Sequence, residues 1–127
     1  MTRKISITLA LAALGLLAFL AAADATTTTK IPSHITIHSH GLTFHGKVTS
    51  SNITCRDGRH VTLHRTNGDI LGHAVTNSHG KWKITASGSA GISLGRFYAT
   101  APRVSFSTNP GHIFVCKRAR SKTIPLQ

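Results

Sequence analysis

Apolar and polar positions alternate with a period of two along most of the chain, and helical periodicity is almost absent beyond the first two dozen residues. Turn-forming sequences such as Asp57-Gly58 interrupt this alternation about every eight to twelve residues. The rhythm predicts an all-β fold, a single antiparallel Greek-key β-sandwich of about seven strands. The predicted strands cover residues 35–37, 42–48, 60–65, 70–76, 81–84, 96–101, 112–116 and 121–126.

Three aromatic residues are the main candidates for the core of this sandwich. Phe44 shares one face of its predicted strand with Val48, and Trp82 alternates with lysines, as a half-buried strand requires. Phe97 lies in the next aromatic strand, after a loose connection at 87–95. We therefore expect Phe44, Trp82 and Phe97, or Tyr98 beside it, to supply large buried areas.

The first 25 residues have the three parts of a secretory signal peptide: a basic start, an apolar run over 5–23 and small residues before cleavage after Ala23 or Ala25. The alternative is a retained membrane anchor, because the apolar run could just span a bilayer. No later segment is apolar enough to span. We expect a secreted or cell-surface protein with a disordered, Thr-rich lead-in at 26–33 and a β-sandwich domain at 34–127.

The charge balance of the chain is strongly basic. Fifteen lysine and arginine residues stand against three aspartates and no glutamate, which gives a formal net charge of +12 with histidines neutral. Such a charge implies an anionic partner, such as cell-wall polymer, acidic polysaccharide, lipid headgroups or nucleic acid. A specific nucleic-acid module is disfavoured, because interleaved aromatic residues and a groove-reading helix are missing from the pattern. The one basic cluster, which we expect to contact an anionic polymer, is Lys117, Arg118, Arg120 and Lys122.

Cys55 and Cys116 are the only cysteines of the chain. In an exported protein two cysteines predict a disulfide, and closing so long a loop would stabilise the fold by about 4 kcal/mol. A metal-binding pair or a free catalytic thiol is the alternative. The lack of C-x-x-C spacing and the oxidising compartment disfavour both.

Nine histidines make this residue type the main candidate for chemistry. Three of them occupy even positions between 34 and 40, so an unbroken strand would present all three on one face. Imidazoles in this pattern could bind zinc or copper, and the candidate ligands are His34, His38, His40, His60 and His64. The other interpretation is that they are ordinary solvent-facing residues, since no carboxylate lies nearby to orient an imidazole. We expect no cofactor.

Two stretches resemble a known group of β-sandwich modules. In residues 76–82 Gly80 closes a polar turn before Trp82, and in residues 95–99 a glycine precedes an aromatic strand. Over roughly residues 42–101 the chain resembles the transthyretin-like carboxypeptidase regulatory-like and collagen-adhesin B-type modules, and its end looks like the tail of small exported actinobacterial proteins. The resemblance implies a β-sandwich but no particular function. The Lys–Asn isopeptide bond of the adhesin modules is not carried over, because their promoting acid, usually Glu, is missing.

The sequence disfavours an enzyme. Glycosidases usually need two carboxylates at a set separation, and Asp57 and Asp69, the acids that remain after the expected cleavage, both lie beside glycine in turns. No nucleophile elbow or phosphate-cradling glycine motif occurs. We therefore expect a non-enzymatic, surface- or wall-associated β-sandwich protein that binds anionic polymer. The alternative is an exported, His-rich protein that binds zinc or copper.

Overall fold

The computed structural model describes residues 26–86 and 95–127, and the all-β prediction is confirmed for them. They form twelve short strands and one 3-10 helix, Ile53–Cys55. The strands are β1 (Thr27–Ile31), β2 (His34–Ile35), β3 (His38–His40), β4 (Thr43–Thr49), β5 (His60–Arg65), β6 (Ile70–Val75), β7 (Lys81–Thr85), β8 (Arg96–Ala101), β9 (Val104–Asn109), β10 (His112–Cys116), β11 (Ala119–Arg120) and β12 (Ile124–Pro125). The predicted signal peptide and residues 87–94 of the predicted loose connection lie outside the described residues. Within 26–86 and 95–127, no helix is long and apolar enough to cross a membrane.

The strands form three sheets. In the first, β4 pairs antiparallel with β2 and β3 along one edge and with β7 along the other. The second has the antiparallel order β11-β8-β5-β6, and β12 also pairs with β8. In the third, β1-β10-β9, strand β1 runs parallel to β10 while β9 runs antiparallel to it.

Strand β1 corrects two predictions. The segment 26–33, predicted as a disordered lead-in, contains a five-residue strand that pairs with β10 along its whole length. Its threonines are β-branched and suit an extended strand, and the Lys117 N–H donates to the Ile31 carbonyl at its end, over 2.9 Å. Because this pair is parallel, the prediction of a wholly antiparallel arrangement is also wrong. The partner strand lies far along the chain, so no local pattern marks the pairing.

The strands also differ from the predicted ones in number and position. Only Ile35 of the predicted strand 35–37 remains in a strand, and the predicted strand 121–126 is reduced to β12. Strand β9 is not predicted at all. Its residues are mostly exposed, and Phe106 alone among them is half-buried, so the segment has little amphipathic character.

The main core draws on the first two sheets. Phe44 of β4, Trp82 of β7 and Phe97 of β8 are 0%, 3% and 0% exposed. The rings of Phe44 and Phe97 meet in a tilted contact with centroids 4.9 Å apart, which links the two sheets. A smaller cluster joins Ile31 of β1 to the two cysteines.

The turn before β7 depends on the glycine and the asparagine in its sequence. Gly80 has a φ of +77°, in the left-handed region that favours glycine. The side-chain oxygen of Asn77 accepts hydrogen bonds from the N–H groups of His79 and Lys81, each at 3.0 Å. These bonds fix the first residue of β7.

Candidate functional site

The predicted disulfide is confirmed. The sulfur atoms of Cys55 and Cys116 lie 2.05 Å apart, and the two Cα atoms 5.3 Å apart. The bond ties the 3-10 helix to the end of β10, and both cysteines are fully buried. It therefore fixes the point from which the basic run at 117–122 continues.

Arg59 heads the fully buried side chains of the described residues in volume, and it is only 1% exposed. Its Nη1 donates to the Cys55 carbonyl over 2.8 Å and to the Ser33 hydroxyl over 3.0 Å. Its Nη2 donates to the carbonyl oxygens of Pro102 and Lys117, over 2.9 and 3.3 Å. Burial lowers the pKa of this guanidinium, but an arginine stays protonated at physiological pH. None of these four partners is a carboxylate, so dipoles alone surround the charge.

A hollow of about 510 Å³, here called the basic hollow, lies beside this buried guanidinium. Four exposed cations line it, and they come from β1, from the connection between β8 and β9, and from the segment after β10. They are Lys30, Arg103, Lys117 and Arg118. The other lining residues are Pro102 and Val115, so none of the described residues that line it is acidic.

The predicted contact run 117–122 divides between two surfaces. Its first two residues line the basic hollow. Arg120 instead lies over the ring of Tyr98 on β8, with its guanidinium carbon 3.9 Å from the ring centre. Lys122 is exposed and is not among the residues that line the basic hollow.

His64 is half-buried beside the same tyrosine. The rings of His64 and Tyr98 stack with centroids 4.9 Å apart, and Nε2 of the histidine lies 2.7 Å from the Thr100 hydroxyl. Burial lowers the pKa of His64, and the positive charges of Arg120 and His73 lower it further. The surroundings of this imidazole therefore favour its neutral form.

No three of the five candidate metal ligands, all of which lie in the described part of the chain, come together in the structure. His34 lies on β2, His38 and His40 lie on β3, and His60 and His64 lie on β5 of another sheet. His38 stacks instead on His45, its partner on β4, with ring centroids 5.6 Å apart. In the described part of the chain, no group of three or more His, Cys, Asp or Glu side chains could hold a metal ion.

Sequence reasoning missed three residues of this region: Arg59 beside the basic hollow, and Lys30 and Arg103 on its rim. Arg59 ends a sequence that reads as a polar turn, and its partners come from three distant connections, so no local pattern marks it as buried. Lys30 lies in a segment predicted to be disordered. The one indication in the sequence was the apolar Ile31 beside it, which is buried against the two cysteines.

The described residues that line the basic hollow are four cations, Pro102 and Val115, so the hollow can attract an anionic group. Comparison with known proteins adds no family to this picture: the chain matches no protein-family profile, and neither a curated protein nor a solved structure is significantly similar to it.

Proposed function

We propose that the protein is an exported, non-enzymatic β module that binds an anionic polymer, such as a cell-wall polymer or an acidic polysaccharide, through the basic hollow. The observation that carries this proposal is the convergence of four cations from three chain segments on one concave surface. Charges of one sign that line a cleft produce a stronger local potential than the same charges spread over a convex surface.

The buried guanidinium supports the same proposal. The carbonyl oxygens of Pro102 and Lys117, which belong to residues that line the basic hollow, accept hydrogen bonds from Arg59. The partial negative charge of each of these oxygens therefore lies against an interior cation. This contact reduces the repulsion between the carbonyl oxygens and an anion at the surface. The charge of Arg59 adds to the positive potential of the four exposed cations.

The cellular location of the protein and the finer architecture of its β module belong to the same proposal. We infer export through a signal peptide at residues 1–25, and a Greek-key β-sandwich of the transthyretin type. The buried cystine supports an oxidising compartment, since structural disulfides persist there and are rare in the cytosol. The all-β structure supports the sandwich at the level of fold class.

The first test is the salt dependence of binding. Retention of the purified protein on immobilised polygalacturonate and on insoluble cell-wall material is measured as sodium chloride is raised. We expect retention to fall steeply towards about 1 M salt, where charges are screened beyond about 3 Å. Retention that does not weaken with salt would contradict an electrostatic mode of binding.

A matched pair of variants then separates the basic hollow from diffuse charge. Lys117→Gln/Arg118→Gln and Arg120→Gln/Lys122→Gln each remove two charges from the same short run, but only the first pair lines the hollow. We expect the first variant to bind polygalacturonate at least about tenfold more weakly than the second, as loss of charge-assisted contacts predicts. Equal weakening by both would show that net charge alone drives binding.

A further inference from the structure

A second hollow, of about 800 Å³, is lined by residues of β3, β4, β6 and β7 and shares no residue with the basic hollow. We call it the tryptophan hollow, because Trp82, the single tryptophan of the chain, is part of its lining. Its volume lies within the range of about 300–1,000 Å³ that is typical of small-molecule sites. A ligand of several sugar rings or similar size would therefore fit its dimensions.

One wall of the tryptophan hollow is cationic. Lys47 of β4 lies directly opposite Lys81 of β7, and Lys83 lies opposite His45. Like charges in directly opposite positions destabilise a sheet, and none of the described residues that line the hollow is acidic. An anionic ligand between these strands would relieve that repulsion.

The other wall is apolar. Ala74 and Val75 of β6 line it, and Val75 is 57% exposed. Trp82 lies on the strand that also carries two of the lysines, and its buried side chain alternates with their exposed ones. An apolar surface beside a row of ammonium groups suits a ligand with one non-polar face and an anionic edge, rather than a bare anion.

Trp82 also has an unused hydrogen-bond donor. Its side chain is 3% exposed, and its indole Nε1 is buried without a hydrogen-bond partner. The nitrogen faces Gly46, a further lining residue, because a Cβ atom on that glycine would lie 2.9 Å from it. The carbonyl oxygen of Thr36 would lie 1.8 Å from the same Cβ position, so backbone already fills the space in front of this donor, and the indole reports on the hollow without a direct bond to a ligand.

We propose that the tryptophan hollow binds a short oligosaccharide of acidic sugars. The C–H face of a sugar ring packs against Val75 and Ala74, and its carboxylate or sulfate group pairs with Lys81 and Lys83. The stacked imidazoles of His38 and His45 also line the site and offer further hydrogen bonds to sugar hydroxyls. This inference does not rest on polymer binding at the basic hollow, because the two sites share no residue.

The single tryptophan allows a direct test. Trigalacturonate is titrated into the purified protein at low salt while the emission of Trp82 is recorded, with the neutral trisaccharide maltotriose and inorganic tripolyphosphate as comparison ligands. We expect a saturable change in emission with trigalacturonate alone. No change with trigalacturonate, or an equal response to maltotriose, would overturn the proposal. Equal binding of tripolyphosphate would overturn the acidic sugar as the ligand class and leave a bare anion site.

Variants locate the binding. We expect Lys81→Gln/Lys83→Gln to weaken trigalacturonate binding at least about tenfold, as the loss of two charge-assisted contacts predicts. Both lysines are exposed, so their replacement should leave the fold intact, and an unchanged thermal unfolding curve checks this. Val75→Asp should weaken binding as well, because it places a like charge beside the ligand, while the control Arg120→Gln/Lys122→Gln, whose residues line neither hollow, should leave the affinity unchanged. Equal losses in the control and the lysine variant would place the ligand elsewhere.

Discussion

Arg59 donates a hydrogen bond to the carbonyl oxygen of Cys55 over 2.8 Å, so a buried cation lies directly beside the cystine. The cystine joins two segments of the chain, and the guanidinium adds links to Ser33, Pro102 and Lys117. The apolar cluster at this end is small. Polar bonds and one covalent bond therefore hold the segments that carry the basic hollow.

Removal of the Arg59 guanidinium should destabilise the fold strongly. Arg59→Met keeps much of the side-chain volume but leaves the carbonyl oxygens of Cys55, Pro102 and Lys117 without this donor. The bond to Cys55 is buried and those to Pro102 and Lys117 are part-buried. A buried polar group that loses its partner costs about 1–3 kcal/mol, so we expect a loss of about 2 kcal/mol or more in the free energy of unfolding. Urea unfolding with the disulfide intact measures it.

Two further variants make this test specific. Arg118→Met removes an exposed arginine of the same region and should change stability by less than about 0.5 kcal/mol. Arg59→Lys keeps the charge but not the planar fork, so it should recover only part of the loss. Wild-type stability of Arg59→Met would mean that water replaces the guanidinium without cost.

The sequence predicted the strands that carry a local alternating pattern, and it missed the features that depend on contacts with distant segments. Strands β5 and β7 were predictable, because large apolar residues such as Leu63 and Trp82 alternate with polar ones on a half-buried strand. Strand β9 was not, since it is exposed on nearly every residue and is held by backbone pairing with β10. The burial of Arg59 was not predictable either, because it depends on the carbonyl groups of Pro102 and Lys117, which are distant in the sequence.

The same distinction applies to the candidate site. The cystine was predictable from two cysteines and an expected export route, and the basic run 117–122 from its composition. The division of that run could not be predicted, because strand β11 turns Arg120 towards Tyr98 while Lys117 remains at the basic hollow. The spacing of the histidines also predicted one continuous strand over 34–40, whereas β2 ends at Ile35 and β3 begins at His38.

Stability should fall as pH falls through the range in which His64 would be protonated in the unfolded chain. Burial and the charges of Arg120 and His73 lower the pKa of His64 in the folded state below its ordinary value of 6.5. Below pH 6.5 the unfolded chain therefore binds this proton more readily, and unfolding becomes easier until the lower folded pKa is reached; above 6.5 the contribution is constant. Thermal unfolding recorded between about pH 8 and pH 5 measures the slope.

His64→Gln should make that slope shallower, because the residue with the lowered pKa is gone. Arg120→Gln should also reduce it, since it removes one of the positive charges that oppose protonation. His60→Gln, an exposed position on the same strand, is the matched control and should keep more of the wild-type slope. Identical slopes in the His64 and His60 variants would exclude His64 as the source.

Gly46→Ala should destabilise the protein because of space rather than backbone conformation. A Cβ atom at this position would lie 1.8 Å from the carbonyl oxygen of Thr36, in the segment between β2 and β3 that runs beside β4. Backbone must move to relieve such an overlap, which costs about 1–3 kcal/mol or more in a packed region. Because the same Cβ would approach the indole nitrogen of Trp82, the emission of this tryptophan should change as well.

Gly111→Ala is the comparison for this last prediction. Its Cβ would meet no atom within 4 Å, so the only cost there arises from a φ of +83°, about 1 kcal/mol. We expect Gly46→Ala to lower the free energy of unfolding further than Gly111→Ala, and only Gly46→Ala to shift the tryptophan emission. Equal losses of stability with unchanged emission would contradict the close approach of the Thr36 carbonyl to Gly46.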